Sequence, residues 1–266
     1  MTFEDIQFDV EPPFAKIILD RPNAKNAYSE PMVDSLLEAL AQANTNPDVR
    51  AVILTGAGSA FSAGGDLKRM RDKTGMFAGD PVKLRSNYIT HIQRIPRAMA
   101  QVDKPMIAAI NGPAIGAGLD LACMCDFRIA QAKAKFGSTF VRLGLIPGDG
   151  GAYLLARTIG LPNALDLILT ARIIDADEAL RIGLVNKVVA AEQLQEEART
   201  LGQQLAANAP LAVQLAKRAA YRSFDHDLET ALELAATYQG VVQNSEDHLE
   251  GVDALLGKRK PDFKGR

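Results

Sequence analysis

The chain has 266 residues, of which 47% are apolar, and its 30 basic and 32 acidic residues leave a net charge of -2. This length and apolar content predict one globular domain with a substantial core and an appendage. The balanced charge gives no electrostatic reason to expect nucleic acid or an anionic membrane as a partner.

The sequence predicts neither a membrane span nor a disulfide or metal site. Its apolar runs stay short of the ~18 residues that indicate a spanning helix, and its first ten residues are acidic and alternating, unlike a signal peptide. The two cysteines, Cys123 and Cys125, are too close to staple a fold and lack nearby histidine or further cysteine for zinc. We predict buried free thiols, no metal and a cytoplasmic protein.

Short apolar runs alternate with helical patterns through the first 190 residues, which predicts a mixed α/β fold. In chain order, we predict paired strands in 3–20, a helix over 29–44 and a strand at 51–55 that is buried on both faces. A helix from 66, a mobile connection at 69–80 and a helix from 81 follow, and Pro96 is predicted to bend or end the last of these. They continue with a strand at 106–110, a helix over 119–125, a strand at 127–130, a break at 136–137, short helices at 153–158 and 163–169, a capped helix from 175 to 183 and a strand at 184–189.

The last quarter of the chain contains only helical patterns. A proline or a capping residue begins three of them, at Pro210, Asp227 and Ser245. No low-complexity linker separates the parts. We therefore predict an α/β core over 1–190 and a helical region over 191–266 that packs on the core or on another subunit.

Two predicted strands are each followed by glycines, an aspartate and a helix start. The first such turn, GAGSAFSAGGD, reaches Asp66, and the second, NGPAIGAGLD, reaches Asp120. Backbone N–H groups at such a turn point one way at the positive end of the helix dipole, which suits an anion or an oxygen becoming one. If the strands are neighbours, the N–H groups of Gly65 and Ala117 converge on one oxygen. Otherwise these are two ordinary strand–loop–helix connections.

Several other motifs are missing from the sequence. Gly116-x-Gly118 lacks the third glycine of a dinucleotide-binding fingerprint, because Leu121 occupies that place, and no P-loop pattern occurs. No G-x-S-x-G elbow occurs either, and the three histidines lie far in sequence from any candidate serine. Serine hydrolase chemistry is therefore not expected.

Four segments, AFSAGGDLKRM, KPMIAAINGPAIGAGLDLACMCDFRIA, FGSTFVRLGLIPGDGG and RIGLVNKVV, together resemble the crotonase (enoyl-CoA hydratase/isomerase) superfamily. The resemblance runs through essentially the whole chain. It implies a crotonase-like ββα spiral core, a helical C-terminal trimerisation region, and trimers that commonly pair as hexamers. It also implies an acyl-CoA thioester substrate, with coenzyme A present only as part of that substrate and no further cofactor.

The resemblance also assigns site residues. In the family, two backbone N–H groups hold the thioester oxygen as it becomes an enolate, and they map onto Gly65 and Ala117, which agrees with the turns described above. The segment that binds coenzyme A corresponds to Ala63, Asp66 and Leu67, with Lys68, Lys25, Arg21, Phe263 and Lys264 as further candidates. The alternatives are a helix cap for Asp66 and solvated surface charge for the cations.

The two glutamates of the family's hydratases are replaced in this sequence. Asp120 stands at the first position, and Phe140, which carries no proton, stands at the second. Hydration needs a water activated at C3 and a proton delivered at C2, whereas one base can move a double bond. Asp149 is a second candidate acid. The structural alternatives are a first-turn helix carboxylate for Asp120 and a cap or Asx turn for Asp149.

These observations predict an enzyme of the enoyl-CoA hydratase/isomerase type, a lyase or an isomerase. It would hold an enolate in a backbone oxyanion hole and use Asp120, helped by Asp149, for isomerisation or hydration. A decarboxylase, C–C lyase or thioester hydrolase of the same fold is one alternative, and a non-catalytic acyl-CoA-binding protein is another. Acyl chain length, pathway and the choice between trimer and hexamer stay open.

Overall fold

The computed structural model describes residues 3–266, which contain nine strands and eleven α-helices. The strands are β1 (Ile6–Glu11), β2 (Phe14–Leu19), β3 (Ala51–Gly56), β4 (Met106–Ile110), β5 (Ala114–Ile115), β6 (Phe127–Gln131), β7 (Lys135–Gly137), β8 (Ile174–Asp175) and β9 (Lys187–Val189). The helices are α1 (Glu30–Thr45), α2 (Leu67–Asp72), α3 (Pro81–Thr90), α4 (Arg94–Met99), α5 (Ala117–Met124), α6 (Gly151–Thr170), α7 (Ala176–Arg181), α8 (Leu194–Ala206), α9 (Pro210–Ser223), α10 (Leu228–Gln243) and α11 (Glu246–Leu256).

The main sheet has six strands in the order β1-β2-β3-β4-β6-β9. Strands β1 and β2 pair antiparallel, and the later neighbours all pair parallel. All six residues of β3 are buried, because Val52 and Leu54 face the larger core while Ala51 and Ile53 face a smaller core beneath α8. The predicted two-sided burial of this strand is confirmed, as expected for a parallel sheet covered on both faces.

A second, three-stranded sheet has the order β5-β7-β8 and gives the core its repeating pattern. After β4 the chain adds β5 to the small sheet and then enters α5, and after β6 it adds β7. After β3, Ser62 forms an isolated parallel bridge to Ala114 before α2 begins. This repeated order of main-sheet strand, small-sheet residue and helix agrees with the predicted ββα spiral core.

Several predicted helix ends are confirmed by their caps. Side-chain oxygens accept hydrogen bonds from first-turn N–H groups at each of these N-caps: Ser29, Asp66, Asp80, Asp175, Asp227 and Ser245. The two short helices predicted around Gly160 form α6, in which Gly160 has non-helical angles (φ 75°, ψ 154°). The kink separates them where glycine tolerates this conformation.

Four sequence predictions are corrected. The connection at 69–80 is folded rather than irregular: α2 extends to Asp72, and a 3₁₀ turn follows at Gly75–Phe77. The helix from 81 ends at Thr90, earlier than predicted, and Pro96 lies instead in the first turn of α4, where its missing N–H costs no hydrogen bond. The predicted break at 136–137 belongs to β7, and the strand predicted at 184–189 is formed only by Lys187–Val189.

The 3₁₀ turn Gly75–Phe77 is held from two sides. The Glu30 carboxylate accepts a hydrogen bond from the Met76 N–H (3.1 Å). The buried Asn87 amide donates to the carbonyls of Met76 (2.9 Å) and Ala78 (3.1 Å). Polar side chains therefore supply the order that the apolar periodicity of this segment does not predict.

By length and composition alone, one helix of residues 3–266, α6, could cross a membrane. It contains Arg157 and Asp166 and is interrupted at Gly160. Both cysteines are buried and free, as predicted. Burial raises the pKa of each thiol to about 12.

The helices that follow β9 expose several large apolar side chains. Helix α8 covers the smaller core, while α9 packs against α10 and α10 against α11. Together with α6, these last helices expose several large apolar side chains: Leu165, Leu169, Phe224, Leu228, Leu232 and Leu255. The boundary at residue 190 and its role in assembly stay predictions.

Candidate active site

The two glycine turns meet at the carboxyl end of β3 and β4. These strands are parallel neighbours, with Thr55 opposite Ala109, so the turns that follow them leave the same edge of the sheet. The N–H of Ile115 donates to the Ser62 carbonyl at 3.0 Å, which ties the turns directly together. The condition stated for convergence of Gly65 and Ala117 is therefore met.

Two glycines let the turns pack backbone against backbone. A Cβ on Gly64, which has φ +81°, would lie 2.6 Å from the Ile115 carbonyl oxygen and 2.8 Å from the Ala117 nitrogen. A Cβ on Gly118 would lie 2.2 Å from the Ser62 carbonyl oxygen. Real side chains do not tolerate such contacts with backbone, so only glycine permits this approach.

The N–H groups of Gly65 and Ala117 have no hydrogen-bond acceptor among residues 3–266. Both residues line each of two adjoining cavities. Ala117 is the first residue of α5, where an N–H has no partner within the helix and faces the positive end of its dipole. Two uncommitted donors beside one cavity are the arrangement that stabilises a developing oxyanion.

The first cavity has a volume of about 200 Å³ and the second about 420 Å³. They share five residues at their junction: Gly65, Met70, Ala117, Phe140 and Leu145. The first cavity has apolar walls that include Val33 and Ile92, and its rim carries two ion pairs, Glu30–Arg69 (3.6 Å) and Asp34–Arg94 (2.6 Å). The second is mostly apolar, with Lys25 and Arg142 among its lining.

Asp120 and Asp149 are brought together beneath the first cavity. They are 1% and 2% exposed, and apart from each other neither carboxyl has a hydrogen-bond partner among residues 3–266. Asp120 lies against Gly151, where a Cβ would come within 2.1 Å of its Oδ1, so this glycine makes room for the carboxyl. Buried polar groups are normally satisfied, and an exception calls for a functional explanation.

Burial raises the pKa of both carboxyls. The pKa of Asp120 rises well above its usual range, because the charge of Asp149 and a hydrogen bond to that side chain add to the effect of burial. The same hydrogen bond lowers the pKa of Asp149 and partly offsets the increase that burial causes. Burial and the repulsion between the two carboxyls therefore both disfavour the state in which each carries a negative charge.

The structural alternatives for the two acids can be compared with their positions and contacts. Helix α6 begins after Gly150, which caps it with no side-chain hydrogen bond, so Asp149 does not serve as its cap. Asp120 lies in the first turn of α5, but its carboxyl accepts no backbone N–H of residues 3–266. Asp149 lines the first cavity together with Gly65 and Ala117, while Asp120 lies behind it.

The residues predicted to bind coenzyme A are only partly brought together. Lys25, Ala63 and Leu67 line the second cavity. Asp66 caps α2 by accepting from the N–H groups of Lys68 (3.1 Å) and Arg69 (3.2 Å), as its alternative role required, and also lines the first cavity.

Lys68 and Phe263 line neither of these two cavities of the described chain. The Phe263 ring packs against Gly251, and its carbonyl accepts a hydrogen bond from Arg50 at 2.7 Å. Arg50 precedes β3, whereas the glycine turns follow it, so Phe263 lies at the other end of the sheet. Its role in binding coenzyme A stays a prediction.

Sequence reasoning missed three residues that the structure adds to the site. Tyr28 and Met76 line the first cavity, and Arg142 lines the second. Tyr28 also contacts both glycine turns. The positions of Tyr28 and Arg142 depend on tertiary contacts that no local pattern encodes. Tyr88 also lines the first cavity with Asp149, and its ring packs on Gly148.

Comparisons with known proteins agree over nearly the whole chain. The family model described as Enoyl-CoA hydratase/isomerase matches residues 11–266. A crotonyl-CoA hydratase of Syntrophomonas wolfei subsp. wolfei is 38% identical over 264 residues, which cover 99% of each chain. An (E)-benzylidenesuccinyl-CoA hydratase of Thauera aromatica is 36% identical, covering 98% of this chain and 99% of the relative. The crystal structure of an enoyl-CoA hydratase from Bacillus anthracis superposes with a TM-score of 0.92 at 38% identity, covering 99% of this chain and 100% of the other.

Proposed function

The chain belongs to the enoyl-CoA hydratase/isomerase family and is an enzyme of that type, and from this premise we propose that it moves a double bond within an enoyl-CoA thioester. The observation that carries the proposal is the buried Asp120–Asp149 pair beside two uncommitted N–H groups. One accessible base and an oxyanion site are what a double-bond shift requires.

The thioester carbonyl oxygen would lie between the N–H groups of Gly65 and Ala117, at the junction of the two cavities. The acyl chain would extend into the first cavity, and the arm of coenzyme A would run through the second toward Lys25 and Arg142. In this pose the carbon next to the carbonyl faces Asp149. No side chain is required of the two donors, which is consistent with glycine at one position and alanine at the other.

The reaction would begin when the Asp149 carboxylate takes a proton from C2 of a 3-enoyl-CoA. The electrons of the broken C–H bond form a C1–C2 double bond, and the negative charge passes to the thioester oxygen, where the two N–H groups stabilise it. Asp149 then returns the proton to C4, where the C3–C4 π electrons form the new C–H bond. The C1–C2 π electrons form the C2–C3 double bond, and a lone pair of the oxygen restores the carbonyl. Proton and charge balance, and no water is consumed.

Asp120 would act through Asp149. The Asp120 carboxyl would keep its proton to a higher pH than an ordinary aspartate, because its pKa is raised. It would then donate a hydrogen bond to the Asp149 carboxylate and so stabilise that buried negative charge. This reverses the predicted emphasis, in which Asp120 was the base and Asp149 its helper. The reason for this reversal is that, of the two acids, only Asp149 lines the cavity.

Hydration is the second candidate, favoured by the names of the relatives, which are hydratases. Asp149 would then activate a water for attack at C3, and a proton from the pair would reach C2. Phe140 weighs against this route, since it places an apolar ring at the cavity junction, where the resemblance puts the second glutamate of the hydratases.

We further propose that the protein is cytoplasmic and assembles as a trimer or a pair of trimers. The apolar side chains exposed on α6, α10 and α11 support their burial in a subunit interface. Sedimentation analysis at micromolar concentration tests this assembly, and a monomer would contradict it.

Product analysis with a 3-enoyl-CoA and crotonyl-CoA side by side tests the proposed reaction. We expect the 3-enoyl-CoA to be converted to its 2-enoyl isomer at least tenfold faster than crotonyl-CoA is hydrated. Hydration of crotonyl-CoA at the higher rate would replace isomerisation by the second candidate. Turnover of neither, with coenzyme A thioesters still bound, would contradict both.

A further inference from the structure

Tyr28 is the one residue of the loop between β2 and α1 that contacts both glycine turns. Its N–H donates to the Gly64 carbonyl at 2.7 Å. Its side chain, which is 7% exposed, crosses to the other turn, where the hydroxyl donates to the Ala117 carbonyl at 3.1 Å. These two bonds come from opposite ends of one residue and reach turns that lie more than fifty residues apart in sequence.

The bond to Gly64 acts on the first oxyanion donor. The Gly64 carbonyl and the Gly65 N–H belong to one planar trans peptide, so they point in opposite directions. Fixing the carbonyl against Tyr28 therefore fixes the Gly65 N–H toward the cavity. A hydrogen bond to the carbonyl also polarises the N–H of the same peptide, which makes it a stronger donor.

The bond to Ala117 acts on the second donor. Gly116 stands before it at φ +56°, and its carbonyl accepts from the N–H groups of Leu119 (2.9 Å) and Asp120 (3.1 Å), which sets the peptide that carries the Ala117 N–H. The Tyr28 hydroxyl holds the other side of Ala117. Tyr28 thus sets the distance between the two turns through its own hydrogen bonds, in addition to the backbone contact that the turns make with each other.

The phenol is suited to this role because it stays protonated. Burial raises the pKa of Tyr28 well above its usual range, and the neighbouring charges of Asp149 and Asp120 raise it further. The hydroxyl is therefore a permanent donor while the acids beside it exchange protons. No deprotonated phenolate competes for the substrate's proton.

We propose that Tyr28 is a positioning residue that fixes the spacing and direction of the Gly65 and Ala117 N–H groups, and so sets how strongly they polarise the thioester carbonyl. This inference rests on the proposed function, because it assumes that these two groups hold the thioester oxygen. It assigns Tyr28 no proton transfer.

The test is Tyr28→Phe, which removes only the hydroxyl bond to Ala117. Tyr221→Phe is the matched control, since it removes a hydroxyl bond of similar length (2.9 Å to Asp126) near the amino end of β6, away from both turns. The readout is the carbonyl stretching frequency of bound butyryl-CoA labelled with carbon-13 at C1. This saturated thioester has no double bond to move, so it reports polarisation without turnover.

We expect the wild-type protein and Tyr221→Phe to lower the carbonyl frequency of the bound thioester equally, and Tyr28→Phe to lower it by about half as much. We also expect kcat for a 3-enoyl-CoA to fall about tenfold in Tyr28→Phe with KM changed less than twofold, because the donors act mainly on the transition state. A frequency shift equal to that of wild type in Tyr28→Phe would overturn the inference.

Failure of the proposed function gives a different result. If the wild-type protein binds butyryl-CoA without shifting its carbonyl frequency, the oxyanion site itself is wrong, whatever Tyr28→Phe does. If Tyr28→Phe does not fold, as judged by its melting temperature, Tyr28→Met is measured instead, because it supplies a flexible apolar side chain without a donor. The same halved frequency shift is expected for it, and a wild-type shift would again overturn the inference.

Discussion

The two glycine turns and the two aspartates lie beside the same cavity but are held in opposite ways. The turns are fixed by backbone contacts that leave no room for a side chain at Gly64 or Gly118. The aspartates are held by burial alone, and apart from each other their carboxyls have no partner among residues 3–266. The turns therefore form a rigid site for negative charge. Burying two carboxyls costs free energy of folding, and a role in proton transfer accounts for their presence there.

The largest expected effect comes from removing the base. Asp149→Asn keeps the side chain's shape but cannot accept the C2 proton, so we expect kcat to fall by about 10³. Binding of butyryl-CoA should change little, since the turns are untouched. Steady-state kinetics and a binding titration check both statements. Retained turnover would move the base to Asp120, as first predicted from the sequence.

The turns are tested by Gly64→Ala, for which we expect kcat to fall by about 10². The added Cβ meets backbone atoms of the other turn, so the two N–H groups must separate. Gly183→Ala is the matched control, because Gly183 also has a positive φ (+77°) but nothing lies within 4 Å of its Cβ position. Its backbone strain should lower the melting temperature without changing kcat. Equal kcat losses in the two variants would mean that strain, and not the meeting of the turns, matters.

The junction between the two regions is tested by Phe140→Glu. This change supplies a carboxylate at the position where the resemblance places the hydratases' second glutamate, so a water can be held between two acids. We expect the ratio of hydration of crotonyl-CoA to isomerisation of a 3-enoyl-CoA to rise about tenfold. Phe140→Gln is the control, since it adds polarity without a base. An unchanged ratio in Phe140→Glu would show that Phe140 does not decide the reaction.

The smallest effect concerns stability. The folded protein keeps a proton on Asp120 above the unfolded carboxyl pKa of about 3.9, so the unfolded chain binds fewer protons there and the free energy of unfolding falls as pH rises. Asp120→Asn removes this loss while keeping a donor for Asp149. We expect its melting temperature to exceed that of wild type by an amount that grows as pH rises above 4. A difference independent of pH would contradict the raised pKa.

Most of the fold was predictable from the sequence because its patterns are local. Helix caps such as Ser29 and Asp175, and the apolar run of β3, each follow from neighbouring residues. The meeting of Gly65 and Ala117 was predictable only on the condition that their strands are neighbours. Both Asp120 and Asp149 were predicted as candidate acids, but the sequence did not predict that only Asp149 of the two lines the first cavity.

The rest depended on tertiary contacts without a local pattern. The 3₁₀ turn at Gly75–Phe77 is ordered by Glu30 and Asn87, which come from other elements. Tyr28 stands in a loop whose composition suggests only a turn, and its hydroxyl finds Ala117 almost ninety residues later.

The central claim is that one carboxyl pair carries a single proton from C2 to C4. A single turnover of a 3-enoyl-CoA labelled with deuterium at C2, in ordinary water, tests it most directly. Because the pair is buried, we expect a measurable fraction of the 2-enoyl-CoA product to carry deuterium at C4. Product in which C4 has received hydrogen only from solvent would contradict the claim and place two separate acids at the site.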